Sequence, residues 1–365
     1  MAKNNKIPKC PPLRFPQFND QWKQTTLGEI LAIGNGKDYK HLLKGNIPVF
    51  GTGGYMTSVN QFLMDGESVF IGRKGTIDKP FYYNGKFWTV DTLFYTHSFV
   101  NSSPRFVLYL FSNINWLEYN EASGVPSLSK TTISKIQIFS PQIAEQEKIA
   151  SFLSLIDERI QSCSETIKER KREKAALLNQ LFSQKLRLPQ FSDEWQQTML
   201  GEIAEILNSR RKPITSSDRV RGDYPYYGAS GIIDYVNEYI FDEQLLLIGE
   251  DGAKWGKDEK TAFIVNGRCW VNNHAHVLRF QNYPTYKLIE AFFFSLNLKP
   301  FVTGDAPPKL TLENLKSILI HFPSLAEQEK IADFLSLIDE RIEVEEELLE
   351  QYERQKRYLL KQMFI

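Results

Sequence analysis

Taken in alternating steps of four and three from Ile149, the chain meets Leu153, Ile156, Ile160, Cys163, Ile167, Arg170, Lys174, Leu177 and Leu181, eight of ten apolar. The same frame from Ile331 gives Leu335, Ile338, Ile342, Glu345, Leu349, Tyr352, Lys356, Leu359 and Met363, again eight of ten. A heptad seam held over four to five repeats predicts a coiled-coil helix, and neither stretch contains Gly or Pro. Each helix is expected to run for about 40 residues, or about 60 Å at 1.5 Å per residue. An isolated helix of that length leaves its seam in water, so each seam is expected to face the other. Antiparallel pairing is expected, because a chain ordered domain, helix, domain, helix can then place its domains at opposite ends of one rod.

Outside these helices the period shortens. IPVFG, SVFIG, PFYYNG, KFWTV and TLFYTHSFV, and later YPYYG, LLLIG, TAFIVNG, RCWVNN and HVLRF, are aromatic and β-branched runs parted by Gly, Asn and Asp, the signature of short strands. Helices are predicted around Ser103 to Asn120 and Thr285 to Leu298. The expected fold class is α+β: two similar globular domains with mainly antiparallel or mixed sheets, joined by two long helices in an antiparallel coiled coil. The predicted organisation is a first domain at 1–142, a helix at 143–186, a second domain at 187–323 and a helix at 324–365.

The two halves are copies. IAEQEKIASFLSLIDERI from Ile143 returns as LAEQEKIADFLSLIDERI from Leu325, 16 of 18 positions identical, and RFPQFNDQWKQTTLGEI from Arg14 returns as RLPQFSDEWQQTMLGEI from Arg187, 12 of 17. Internal repeats outrank other fold signals, because missing one misassigns the whole architecture.

The 365 residues carry 44 Lys/Arg and 44 Asp/Glu, a neutral total that hides segregation. Residues 1–142 hold 15 basic against 9 acidic residues, a net of +6, residues 143–185 a net of +1, residues 186–323 a net of −2 and residues 324–365 a net of −5. A basic first domain fits phosphate contact; the acidic last helix fits a protein partner or solvation. The opening MAKNNKIPKCPPL has no apolar core of a secretion signal, and no run approaches the roughly 20 apolar residues of a membrane span, so the expected location is cytoplasmic, with no membrane partner. Three scattered cysteines (Cys10, Cys163, Cys269) support neither a disulfide framework nor a zinc site.

Catalytic motifs fail on inspection. FGTGG at Phe50 to Gly54 superficially resembles a loop that cradles S-adenosylmethionine, yet its aligned copy, YYGASG from Tyr226, does not keep the pattern. DAPP at Asp305 to Pro308 superficially resembles a methyltransferase motif, yet an alanine parts the acid from the prolines and the aligned SGVPSL has no acid. No phosphate loop is present. Glu250 and Asp251 align with Arg73 and Lys74, and a catalytic carboxylate pair is not expected to invert its charge between copies. His274 and His276 sit at strand spacing without further ligands, so no metal is expected. Trp88 and Trp270 are expected core anchors.

Two domains of this texture, each followed by a long helix beginning AEQEKIA and continuing FLSLIDERI, and each preceded by a W..TLGEI-type element (Trp22 with Leu27 to Ile30, Trp195 with Leu200 to Ile203), resemble the specificity subunit of type I restriction-modification systems. The resemblance runs from Arg14 to Ile365. It implies a non-catalytic reader of double-stranded DNA in which each domain reads one half of a split asymmetric site. It also implies that the paired helices set the gap and hold two methyltransferase subunits, which restriction subunits join. No cofactor is then expected in this chain; S-adenosylmethionine, ATP and Mg belong to the partners. The competing readings are a coiled-coil scaffold without DNA binding, or a fused methyltransferase or nuclease.

Within that frame the shared loops are the reading candidates. IGRKG and IGEDG share a Gly-xx-Gly frame; Arg73 and Lys74 suit guanine, and Glu250 and Asp251 can accept from cytosine N4. Lys79, Lys254 and the run Arg210, Arg211, Lys212 are candidate phosphate contacts. Gly51, Thr52, Gly53 and Tyr55, with Ser230 of the second copy, form a small-residue loop whose amides could meet phosphate. For docking, the repeated polar residues of the helices are the candidates: Glu145, Gln146, Lys148, Asp157 and Arg159, with Glu327, Gln328, Lys330, Asp339 and Arg341. A rod near 60 Å corresponds to about 15 to 18 base pairs at ~3.4 Å each, an upper bound on the gap.

Overall fold

The computed structural model describes residues 10–304 and 307–365. Contacts gather them into two compact units, one of residues 10–163 with 348–365, the other of residues 164–347.

In the first unit a six-stranded sheet runs in the order Ala32–Asn35, Leu93–His97, Met64–Gly72, Phe81–Thr89, Lys44–Gly51, Gly54–Val59. Every pairing is antiparallel except that of Lys44–Gly51 with Phe81–Thr89, where Val49 lies opposite Trp88. The predicted helix after the sheet is shorter than expected, Pro104–Asn113, followed by a separate 3₁₀ turn at Trp116–Tyr119. The chain turns extended at Ile114, which lets Trp116 bury its ring completely and donate its indole N–H to the Phe111 carbonyl.

The second unit repeats this plan with two four-stranded sheets. One runs Glu205–Ile206, Ala275–Arg279, Leu245–Gly249, Ala262–Val265; the other runs Gly231–Val236, Arg221–Gly228, Arg268–Val271, Phe241–Asp242. The parallel pairing recurs, Tyr226 opposite Trp270. All five residues of Leu245–Gly249 are buried, as an apolar run covered on both faces should be. The helix here is Tyr283–Ser295, its Asn282 cap accepting from the Thr285 amide.

The W..TLGEI repeat explains itself as a joint. Lys23–Thr26 pairs with Gln137–Ser140 and Gln196–Met199 with Leu319–Phe322, so each domain's entry strand is zipped to its exit strand. The one-turn helix that follows is closed by Glu29, which accepts from the Thr25 hydroxyl and the Thr26 amide, and by Glu202, which accepts from the Thr198 hydroxyl and the Met199 amide. Those bonds hold both carboxyls below the usual carboxylate range. A Cβ on Gly28 would fall 2.9 Å from Ser134 Cβ, and one on Gly201 2.9 Å from Lys316 Cβ. Both glycines are there for the close approach of a short second helix, Lys130–Lys135 or Leu312–Lys316.

The long helices are Ile143–Phe182 and Leu325–Met363, and each gives one segment to each unit. In the second unit Lys171 pairs with Glu346 and Lys174 with Asp339: partners descend on one helix as positions ascend on the other, the antiparallel arrangement. In the first unit Lys356 meets Asp157. The seam differs from the expected helix-on-helix strip. Ile149, Leu153 and Ile156 share their core with Leu359 and Met363, but also with Phe106, Tyr109 and Leu110 of the domain helix. Ile331 and Leu335 likewise pack with Leu288 and Ala291 as well as with Leu178 and Leu181. The opening turns of each long helix are thus part of a domain core.

Candidate functional site

In each unit three segments meet at one end of the sheet. The first is the hairpin tip. Gly54 and Gly231 hold φ of +99° and +125°, a region that L side chains rarely adopt, and a Cβ on Gly53, Gly54 or Gly231 would touch nothing within 4 Å. Gly51 is buried, Thr52 half-buried, and Tyr55 is 63% exposed, its hydroxyl bonded to Ser58. Met56, Ile232 and Ile233 beside the tips are exposed too.

The second segment is the Gly-xx-Gly loop. The Arg73 and Lys74 amides both donate to the Thr92 carbonyl, while the Val90 amide, two residues away, donates to Phe50 O beside the tip. Matching bonds run from the Glu250 amide to His274 O and from the Asn272 amide to Tyr227 O. Ser230 Oγ lies 3.5 Å from Gly252 O, so tip and loop touch directly in the second unit.

The third segment was missed by the sequence reading. It is Val125 to Leu128 in one copy, and the residues leading into Leu310 in the other. The Leu128 amide donates to Arg73 O and the Leu310 amide to Glu250 O; Lys74 bridges Ser127 and Asp251 bridges Lys309. The signal was available: Pro126 and Pro308 align, and each stands three residues before a helix cap, Ser129 or Thr311. Asp305, the acid of the rejected DAPP match, lies outside the described residues.

In the first unit the second and third of these segments border an open cleft of about 790 Å³ lined by Arg73, Lys74 and Lys130, with Asp91 and Glu121 as the acids. Arg73 and Lys74 are exposed. The Arg73 guanidinium donates to Asp91 O at 3.3 Å and stands 6.0 Å from the Phe94 ring. Glu121 accepts from the Ser129 and Thr132 hydroxyls, which hold its carboxyl low. Lys79 is exposed but does not line the cleft.

The second unit corrects several expectations. Glu250, expected to read cytosine, is 7% exposed and receives Arg211 Nη1 at 2.5 Å and Lys309 Nζ at 2.7 Å. Burial alone would raise its carboxyl; Arg211, Lys309 and His276 together hold it below its ordinary value. A carboxylate so enclosed is not offered to a base. Arg211, expected to touch phosphate, is spent on Glu250 and on Ala275 O. Arg210 is committed to Glu243 and Ile240 O, over the Phe241 ring at 4.4 Å. Asp251 holds His274 Nδ1 at 2.5 Å. His274 sits in a turn and is half-exposed, while His276 is buried, bonded to Leu310 O and Asn208. Burial pushes His276 below its ordinary pKa. No group of potential metal ligands occurs among the described residues. Lys212 and Lys254 remain exposed.

The inversion between copies has a packing cause. Lys37 and Lys212 are matched, since each carbonyl accepts from the matched indole, Trp88 or Trp270, which places Gly36 where Arg211 stands. A Cβ on Gly36 would meet Val90 O at 1.8 Å. Arg73 therefore has Gly36 and Ser127 as counterparts where Glu250 has Arg211 and Lys309.

The helix candidates also divide. Glu145 is 2% exposed, takes Arg14 Nε at 2.6 Å and Nη2 at 2.7 Å, and accepts from Trp22 Nε1 at 3.3 Å. Glu327, 1% exposed, takes Arg187 Nη2 at 2.9 Å. Gln146 accepts from the Ser103 amide and lies within donor reach of Asn101 O, Ser140 Oγ and Pro141 O; Gln328 donates to Pro323 O and accepts from Thr285. The expectation that these four dock a partner is corrected: they rivet helix to domain from inside. Asp157 is taken by Tyr109 and Lys356, and Asp339 by Lys174 and Lys287. What stays exposed in both copies is Glu147 with Glu329, Lys148 with Lys330, Glu158 with Glu340, Arg159 with Arg341, and a leucine that the polar pattern concealed, Leu155 at 59% and Leu337 at 57%.

Among the described residues no helix is long and apolar enough to cross a membrane. The chain is 37% identical over 160 residues to a putative type I restriction enzyme specificity subunit of Haemophilus influenzae, which is 44% of this chain and 40% of that protein. It is 23% identical over 289 residues to the putative MjaX specificity subunit of Methanocaldococcus jannaschii, 70% of this chain and 66% of that one. These matches span less than two thirds of either relative's length. The fold is shared with the type I restriction-modification S subunit from M. genitalium, with a TM-score of 0.70 and 17% identity over 98% of this chain and 99% of that one. The family model for the type I restriction modification DNA specificity domain matches residues 19–170 and again 192–354, and the chain belongs to that family, with two copies of its domain.

Proposed function

We propose that this chain is the DNA-reading, non-catalytic subunit of a type I restriction-modification assembly. Each unit reads one half of a bipartite asymmetric site on double-stranded DNA, and the antiparallel helices fix the gap. Two identical methyltransferase subunits dock on the repeated helix blocks, and restriction subunits join through them. S-adenosylmethionine, ATP and Mg are bound in those partners. The observation that carries the reading is the contrast between the copies. The exposed helix residues Lys148, Leu155 and Arg159 return unchanged as Lys330, Leu337 and Arg341, while the matched loops carry Arg-Lys in one unit and Glu-Asp in the other. Equal docking surfaces suit equal partners; unequal loops suit unequal half-sites.

Arg73 and Lys74, at the mouth of the first cleft, are the base-reading candidates of that unit, and Lys212 and Lys254 contribute phosphate contacts in the second. Co-expression with the methyltransferase subunit, followed by genome-wide mapping of modified adenines, tests the proposal. A split motif whose first half alone changes on Arg73→Ala is expected. A single contiguous motif, or methyl transfer by the purified chain alone, sinks it.

A further inference from the structure

The second unit carries more acid than base in its globular part, 17 acidic against 15 basic residues over 186–323, which is a poor start for a surface that must approach a polyanion. Its best cations are supplied by the long helix. Residues 168–174, KERKREK, hold five basic side chains against two acids. One side of that stretch faces a groove of about 920 Å³. Lys168, Lys171 and Arg172 stand on the helix side, and Lys254 and Lys260 on the domain side, with Ser230 of the hairpin tip also in the lining.

Charge balance in the groove is positive. Six basic residues line it against Asp258, Glu259 and Asp339. Asp339 is already neutralised by Lys174 and Lys287, and Glu259 is turned back onto the Gly256 amide. Lys171 has Glu346. Lys168, Arg172, Lys254 and Lys260 are exposed and have no ion-pair partner among the described residues. Unpaired, long, flexible cations at the rim of an open groove are what phosphate binding needs, since it depends on charge and reach and not on fixed geometry.

We infer that this groove seats the sugar-phosphate backbone of duplex DNA beside the half-site read by the second unit, so that the helix itself binds DNA without regard to sequence. The inference rests on the proposed DNA-reading function. Duplex DNA is favoured over an acidic protein segment because the groove is continuous with the hairpin tip and the loop bearing Lys254, the surface that must meet the bases. The corresponding stretch of the other helix, residues 350–356, has two acids and two bases and offers no such rail. The aid is confined to the unit whose globular part is net acidic.

The test is a salt titration of the full chain binding a fluorescent 40-base-pair duplex of mixed sequence. The triple variant Lys168→Gln, Arg172→Gln, Lys260→Gln is compared with wild type and with Lys299→Gln, an exposed lysine of the same unit outside the groove. Each phosphate contact contributes about 0.9 to the slope of log K against log salt, so the triple variant should lose about 2.7 from that slope. Lys299→Gln and the charge-keeping Arg172→Lys should match wild type. A triple variant with the wild-type slope, or an equal loss in Lys299→Gln, overturns the inference. If the slope holds while co-purification with the methyltransferase subunit is lost, the groove serves an acidic protein instead. Absence of any salt-dependent binding by wild type, alone and with its partner, defeats the DNA-reading function itself.

Discussion

Glu145→Gln and Glu327→Gln are the same substitution at the same repeat position, and the structure assigns them different costs. Glu145 is enclosed by two Arg14 bonds of 2.6 and 2.7 Å and by the Trp22 indole, with Arg14 14% exposed; that pairing also raises the Arg14 guanidinium. Removing one partner of a buried pair costs about 3 to 5 kcal/mol. Glutamine keeps one acceptor and Arg14 keeps some water, so about 2 to 3 kcal/mol is expected. Glu327 has a single 2.9 Å bond to an Arg187 that is 22% exposed, and its Oε1 and the Trp195 Nε1 are buried without a hydrogen-bond partner among the described residues. Its burial is poorly compensated already, so neutralising it should cost about 1 kcal/mol or less. In thermal unfolding followed by tryptophan fluorescence, 1 kcal/mol corresponds to about 2 to 4 °C for a unit of this size. A Glu327→Gln protein at least as destabilised as Glu145→Gln refutes the reasoning.

Other consequences can be checked separately. Glu250→Ala should destabilise the second unit by about 2 to 4 kcal/mol, because it strands the largely buried Arg211; urea unfolding reads this, and an unchanged midpoint with an altered half-site returns Glu250 to the reading set. Leu155→Asp and Leu337→Asp should each weaken co-purification with the methyltransferase subunit while leaving the melting temperature within about 1 °C; retention of full binding by the double variant removes the leucines from the docking surface. For His276 the folded pKa lies below the unfolded value of about 6.5. The unfolded chain then binds the extra proton, and the stability due to the neutral ring is complete above that pH and lost as pH falls toward the folded value. His276→Gln should flatten the fall in stability as pH drops below about 6.5; an unchanged slope excludes the ring as its source.

The duplication, the two long helices and the strand-rich texture of both domains were legible because they rest on periodicity, which survives without knowledge of contacts. Their partners were not. Ile149, Leu153 and Ile156 have heptad spacing whether they face another helix or Phe106 and Leu110. Polar identity misled more. Glu145 and Gln146 read as partner-docking residues, yet Arg14 and the Ser103 amide wait for them 131 and 43 positions away, and nothing local announces a long-range rivet. The exposed Leu155 and Leu337 hid for the opposite reason, as apolar residues on a helix assumed to bury them all.

The charge inversion between the copies bears on how such a surface can change at all. Glu250 is tenable only with Arg211 and Lys309 around it, and the largely buried Arg211 needs Glu250, since either member of that pair left alone in the enclosure keeps a desolvated charge without compensation. Arg73 stands exposed, with Gly36 and Ser127 in the places of the two cations. Moving from one arrangement to the other by single steps passes through an unpaired buried carboxylate or an arginine driven against Val90 O. The loop contents are therefore coupled triplets, and transplanting IGRKG onto the second unit without changing Arg211 and Lys309 should produce a cluster of cations, not a transferred specificity. The backbone bonds to Thr92 or His274 and to Leu128 or Leu310 are the same in both copies, so the frame itself tolerates either triplet. Specificity in this chain is then exchangeable at the level of the loop together with the segment packed behind it, and a graft that carries Gly36, residues 72–75 and residues 125–128 as a set is the smallest one the packing allows.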